Sequence, residues 1–155
     1  MKLRLAIFFL FAIVSCGKDK FNSKPTLTLK ETSGNYVPLG NYAVKFTLEY
    51  TDAEGDIGGQ PLCVQKLSSS YPCVNSNYDP TYIDTAGQFF VIPATLPESS
   101  NQKGEIVVTL SDILLNRIRC TEDDTLEDAT FKFWFKDRAG NVSDTVTSPV
   151  IKIEK

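Results

Sequence analysis

Apolar residues alternate with polar ones through several short segments of the chain, and this period of two predicts β-strands. The clearest segments are residues 42–50 (YAVKFTLEY) and 130–136 (TFKFWFK), where at least every second side chain is apolar. Successive side chains of a strand point to opposite faces of a sheet, so these segments have one face suited to a core. Turn-rich stretches separate them. The pattern predicts an all-β antiparallel sandwich of about seven strands.

The remaining strands are predicted from shorter alternating or apolar runs, at residues 26–30, 61–67, 88–92, 105–110 and 146–153. We expect the 61–67 strand to be central and the 88–92 strand to lie at a sheet edge. One or two helical turns are possible at 111–118. In the last strand, Val146, Ser148 and Val150 are expected to point inward, together with Ile151 or Ile153 after a shift near Pro149.

The first 15 residues have the parts of a secretory signal. Lys2 and Arg4 supply positive charge, and residues 5–14 form an uninterrupted apolar run. A helix that spans a bilayer needs about 20 such residues, so this shorter run is typical of a signal peptide instead. The sequence therefore predicts that residues 1–15 are removed.

The four residues Ile13-Val14-Ser15-Cys16 resemble the lipobox of bacterial lipoproteins. The resemblance implies a diacylglycerol thioether on Cys16, cleavage immediately before it and acylation of the new amino terminus. Two or more acyl chains anchor a protein stably, since each buried CH₂ contributes about 0.8 kcal/mol. We expect a lipidated tether at 16–25 and one domain at 26–155, anchored in membrane lipid at the cell envelope, on the outer membrane. Residues 17–20 contain no clear signal for retention or for surface export, so the sequence does not indicate which membrane leaflet holds the anchor.

The chain contains no histidine, which excludes Ser-His-Asp and Cys-His catalysis and histidine metal ligands. Paired-carboxylate chemistry needs no histidine and stays open. Removal of residues 1–15 takes away Lys2 and Arg4 but no acid, so the formal charge changes from −3 to −5. A mildly acidic chain without a basic patch is not expected to bind nucleic acid. We predict a single non-enzymatic domain.

Three cysteines besides Cys16 would enter an oxidising export compartment. Cys63 and Cys73 bracket a serine-rich segment, which favours a local disulfide between them. The alternatives are a bridge from Cys120 to either of them, or no bridge.

Two acidic segments that contain glycine lie next to predicted strands: TDAEGDIG at 51–58 and KDRAGNVS at 136–143. Together they resemble the short, mostly uncharacterised lipoproteins of Bacteroidota that carry one Ig-like domain. Those proteins have a D-x-D/E-G-D-I-G loop and, near the end, a D-x-A-G-N-x-S hairpin. The resemblance covers residues 25–155 and implies an Ig-like sandwich, but it carries almost no biochemical function because fold does not determine function.

The two acidic segments are also a candidate metal site. In an Ig-like sandwich the second and sixth strands run in the same direction, so both segments should emerge at one end. That arrangement would bring Asp52, Glu54 and Asp56 near Asp137 and Asn141. A structural Ca²⁺ ion with 6–8 oxygen ligands would neutralise the clustered carboxylates. Ordinary turn chemistry is the alternative, because Asp, Asn and Gly favour tight turns.

Three Asp-Thr dipeptides precede an apolar or small residue, at Thr85, Thr125 and Thr145. They resemble the D-T-[A/L/V] O-glycosylation motif of exported Bacteroidota proteins. The acidic run at 122–128 is expected to be a solvated loop rather than a catalytic carboxylate pair.

The expected function is a membrane-anchored, non-enzymatic binding or structural module that contacts an envelope protein or glycan. The alternative is an accessory carbohydrate-binding lipoprotein of a nutrient-uptake system. In that case aromatic residues of the irregular 63–104 region, among them Tyr82 and Phe90, would stack on sugar rings. Packing at the edge of the sandwich is the other explanation of these aromatic residues.

Overall fold

The computed structural model describes residues 23–40, 42–68, 88–111, 115 and 125–155, and its regular secondary structure consists of β-strands. These residues form nine strands, in chain order β1 Thr26–Thr32, β2 Tyr36–Val37, β3 Ala43–Asp52, β4 Pro61–Ser68, β5 Gln88–Val91, β6 Gln102–Ser111, β7 Leu126–Phe135, β8 Val146–Thr147 and β9 Ile151–Glu154. Among the described residues, no helix is long and apolar enough to cross a membrane. The possible helical turns at 111–118 fall mostly outside this range.

The strands form two sheets. One has the order β1-β3-β6 and is antiparallel throughout. The other has the order β2-β9-β7-β4-β5, with β8 also paired to β7, and only the short β2–β9 pair is parallel. The predicted all-β sandwich is confirmed, whereas its Ig-like character stays a prediction. Strand β4 lies between β7 and β5, and β5 ends the sheet, as the sequence predicts.

The core lies between the two sheets, where phenylalanines from β3 and β7 meet. The ring of Phe46 lies 5.5 Å from that of Phe131 and 5.0 Å from that of Phe133, measured between centroids. All three side chains are buried. Burying one such side chain contributes about 1.5–3 kcal/mol, and tilted ring pairs add to this. The apolar side chains of the two alternating segments thus face the core, as predicted.

The final strand is interrupted at Pro149, which has no N–H to donate to a sheet ladder. Ile151 and Ile153 are fully buried, but Val150 is half-exposed, so its predicted inward orientation is wrong. Ser148 does point inward, and its hydroxyl accepts a hydrogen bond of 2.9 Å from the backbone N–H of Phe131.

Glu127 belongs to the inward row of β7, so its expected place in a solvated loop is wrong. Its Oε1 atom lies 2.7 Å from the Nζ atom of Lys66 on β4, and the two side chains are 0% and 5% exposed. At this distance the two charged groups form an ion pair. The Lys66 ammonium also donates to the carbonyl of Leu115 at 2.6 Å. Because Lys66 neutralises it, a carboxylate can occupy a core position here.

Candidate functional site

Three carboxylates meet at one end of the sandwich. Asp52 is the last residue of β3 and is fully buried, Asp137 follows β7 and is 2% exposed, and Asp56 lies in the loop after β3. One carboxylate oxygen from each of the three lies within 4.8 Å of the other two. The described chain therefore brings together residues that the sequence places about 85 positions apart. We refer to Asp52, Asp56 and Asp137 as the acidic cluster.

The loop after β3 is held in place by backbone contacts. The Asp56 N–H donates to Asp52 Oδ2 at 2.9 Å, and the Asn101 N–H donates to the carbonyl of Ala53 at 2.8 Å. Gly55 has a φ of 70°, and a Cβ atom there would lie 2.1 Å from the carbonyl oxygen of Ser99. This loop conformation therefore requires glycine at position 55.

The hairpin after β7 presents Asp137 through its own turn. The Asn141 N–H donates to Asp137 Oδ1 at 2.6 Å, and Asn141 Nδ2 donates to Oδ2 at 2.8 Å. The Ala139 N–H donates to Asp56 Oδ2 at 3.1 Å and so joins the hairpin to the other loop. Asp137 and Asn141, which the sequence predicts to lie close together, are thus in direct contact. Glu54, the fifth predicted residue, is exposed and is not part of the acidic cluster.

Two oxygens of the acidic cluster lack a hydrogen-bond donor. Asp52 Oδ1 and Asp56 Oδ1 are both buried atoms without a partner. Burial is the main cause that raises the pKa of Asp52, and the charges of Asp56 and Asp137 raise it further, against the lowering effect of the Asp56 and Gly55 N–H groups. Buried acceptors normally have a donor, so these two oxygens need an explanation.

Arg138, a cation next to Asp137 in the chain, is already paired with another carboxylate. Arg138 Nη1 lies 2.6 Å from Glu98 Oε1, and Glu98 is the main cause that raises the pKa of Arg138, with a smaller effect from Asp56. Among the ion pairs of the described residues, none includes a carboxylate of the acidic cluster. Turn chemistry therefore accounts for Asp137, whereas the unpartnered oxygens of Asp52 and Asp56 form part of an oxygen donor set suited to a hard cation.

A second candidate site is a cleft of about 320 Å³ between β5 and β6, the last strands of their sheets on one side of the sandwich. Phe90, Tyr50 and Glu105 are among its lining residues. At its rim, Val91 is 68% exposed and Val107 is 59% exposed. Val107 follows an inward-facing isoleucine and precedes an inward-facing valine, so its outward orientation was readable from the alternation.

The remaining predicted sites are placed only in part. Cys63 is a half-buried free thiol on the outer face of its sheet, across from Trp134, and burial raises its pKa. Thr125 and Thr145 are exposed. Outside the described residues lie the signal peptide, the lipidation site and the other predicted positions: Cys16, Cys73, Cys120, Tyr82 and Thr85.

Comparison with protein-family models, with curated proteins and with solved structures gave no match. The functional interpretation therefore depends on the residues of this chain alone.

Proposed function

We propose that the mature chain is a lipid-anchored, non-enzymatic binding module of the cell envelope, and that it contacts its partner through the cleft between β5 and β6. The exposed Val91 and Val107 at the rim of this cleft carry the proposal. Both valines line the same cleft, and binding sites are typically concave and mostly apolar. The position also favours binding, because strands at a sheet edge offer unpaired backbone groups to a partner.

The lipobox sequence supports the anchor. We expect the wild-type chain to incorporate an alkyne-labelled fatty acid and to sediment with membranes. Cys16→Ser should abolish both, whereas Cys63→Ser should leave both unchanged and serves as the matched control. Incorporation of the label into the Cys16→Ser chain would contradict the proposed anchor.

The binding surface is tested by photo-crosslinking in intact cells of the native host. A p-benzoyl-L-phenylalanine in place of Val107 should yield a discrete crosslinked species, whereas the same residue in place of Val150, a half-exposed valine outside the cleft, should not. The species should disappear when Val91→Asp is added. Identical patterns from positions 107 and 150 would contradict a binding surface at the cleft.

A second candidate function is carbohydrate binding, as an accessory lipoprotein of a nutrient-uptake system. The observation that favours it is the combination of an aromatic ring, Phe90, with a carboxylate, Glu105, in one cleft of about 320 Å³. Ligand sites are typically concave and mostly apolar, with a few polar groups that orient the ligand.

Phe90→Leu separates the two functions, because leucine keeps an apolar side chain but removes the aromatic face. If the ligand is a glycan, binding on a glycan array should be lost in Phe90→Leu at an unchanged melting temperature. If the partner is a protein, crosslinking from position 107 should persist in the same variant.

A further inference from the structure

We propose that Asp52, Asp56 and Asp137 form a Ca²⁺ site that joins the loop after β3 to the hairpin after β7. The proposal is independent of the partner-binding function above, because the acidic cluster shares no lining residue with the cleft. The geometry fits one ion. Two oxygen ligands of the same Ca²⁺ are at most about 5 Å apart, since each Ca–O distance is about 2.3–2.6 Å. The three carboxylate oxygens all lie within 4.8 Å of one another.

The unpartnered oxygen of Asp52 points to a ligand. This side chain is 0% exposed, its Oδ2 accepts from the Asp56 N–H, and its Oδ1 has no donor. An ionised carboxylate buried without a partner is strongly unfavourable, so such groups are normally paired with a cation or bound to a metal. Asp56 Oδ1 is buried and without a donor as well. Turn hydrogen bonds account for neither oxygen.

The charge of the cluster favours a divalent cation. Three ionised carboxylates within 4.8 Å repel one another, and Arg138 is engaged by Glu98 at 2.6 Å. Carboxylate oxygens are hard donors that suit Ca²⁺ or Mg²⁺ rather than softer metals. Of these two, Ca²⁺ tolerates irregular geometry and variable ligand number, whereas Mg²⁺ requires a near-ideal octahedron. A cluster assembled from two separate loops fits the more tolerant ion.

Bound Ca²⁺ would link the two sheets of the sandwich. Asp52 ends β3 of the smaller sheet, and Asp137 follows β7 of the larger one. Two described hydrogen bonds join hairpin and loop: the Ala139 N–H donates to Asp56 Oδ2 at 3.1 Å, and Arg138 Nη2 donates to the carbonyl of Gly58 at 3.4 Å. An ion coordinated by all three carboxylates would add a further and stronger connection. Asp56 is only partly buried, so it offers the ion an entry path.

The test uses the full chain in detergent, stripped with EDTA and freed of the chelator. Calorimetric titration with CaCl₂ should show one site per chain. The melting temperature should rise by on the order of 10 °C at a hundred-fold excess over Kd. Absence of both heat and a melting shift up to 10 mM CaCl₂ would overturn the proposal. An equal or larger shift with MgCl₂ would overturn the assignment to Ca²⁺.

Two variants locate the site. Asp52→Asn keeps the shape of the side chain but removes its charge. It should weaken Ca²⁺ binding at least tenfold, while its metal-free melting temperature stays the same or rises. Asp128→Asn makes the same change in a surface carboxylate on β7 and should keep the full Ca²⁺ response. Wild-type Ca²⁺ affinity in Asp52→Asn would overturn the site even if the protein binds the ion elsewhere.

Discussion

Replacing Glu127 with glutamine removes one charge from the buried pair with Lys66 and leaves the shape of the side chain almost unchanged. Both partners are at most 5% exposed, so solvent and salt screen the remaining ammonium only weakly. Removing one member of a buried ion pair costs about 3–5 kcal/mol, because the other charge stays buried without compensation. We expect a loss of this size in the free energy of unfolding, a large part of the roughly 5–15 kcal/mol total of an ordinary domain.

The double variant Lys66→Met/Glu127→Leu should recover part of that loss, because apolar side chains of similar size carry no desolvation penalty. Recovery should be incomplete, since the carbonyl of Leu115 loses the 2.6 Å hydrogen bond from Lys66. An unsatisfied buried acceptor costs about 1–3 kcal/mol, and the double variant should lie that far below the wild type.

Urea unfolding, followed by the fluorescence of the single tryptophan Trp134, measures these changes. The control is the pair Lys152–Asp128, one residue further along β7 but on the surface, with side chains 53% and 43% exposed. Asp128→Asn should cost less than about 1 kcal/mol. A cost of Glu127→Gln no larger than that of this control, or a double variant less stable than Glu127→Gln, would contradict a stabilising buried ion pair.

Other predictions concern backbone strain and thiol reactivity. Gly55→Ala should lower the free energy of unfolding by at least about 2 kcal/mol, because φ is 70° and the added Cβ would meet the carbonyl of Ser99. Gly34→Ala, where a Cβ meets no atom within 4 Å, should change it by less than about 1 kcal/mol in the same urea assay. Because burial raises the pKa of Cys63, less thiolate is present at pH 8 than in the unfolded chain. Mass spectrometry should therefore show slower iodoacetamide modification of Cys63 in the native protein than in urea, and equal rates would contradict this.

The sequence alone was sufficient for the longer strands and for which side of β3 and β7 is buried, but it did not predict the short strand β2. Alternation in β3 and β7 is a local property, since the two faces of one strand are defined by residues next to each other along the chain. The inward orientation of the phenylalanines of β7 follows from this local pattern.

Part of the acidic cluster was also predictable, because strand direction in a sandwich brings loops of two distant strands to one end. Asp52, Asp56 and Asp137 do meet there. The exposure of Glu54 was not predictable, because it depends on how the loop turns at Gly55 against Ser99, a residue more than 40 positions away.

Only the tertiary structure placed Glu127 in the core, since its neighbours in the acidic run suggest a solvated loop. The partner that makes burial possible, Lys66, lies on another strand about 60 residues earlier. The short parallel pairing of β2 with β9 likewise depends on contacts between distant segments. Periodicity reports the faces of one strand, whereas the choice of partners across a sheet is decided by the free energy of the whole packed core.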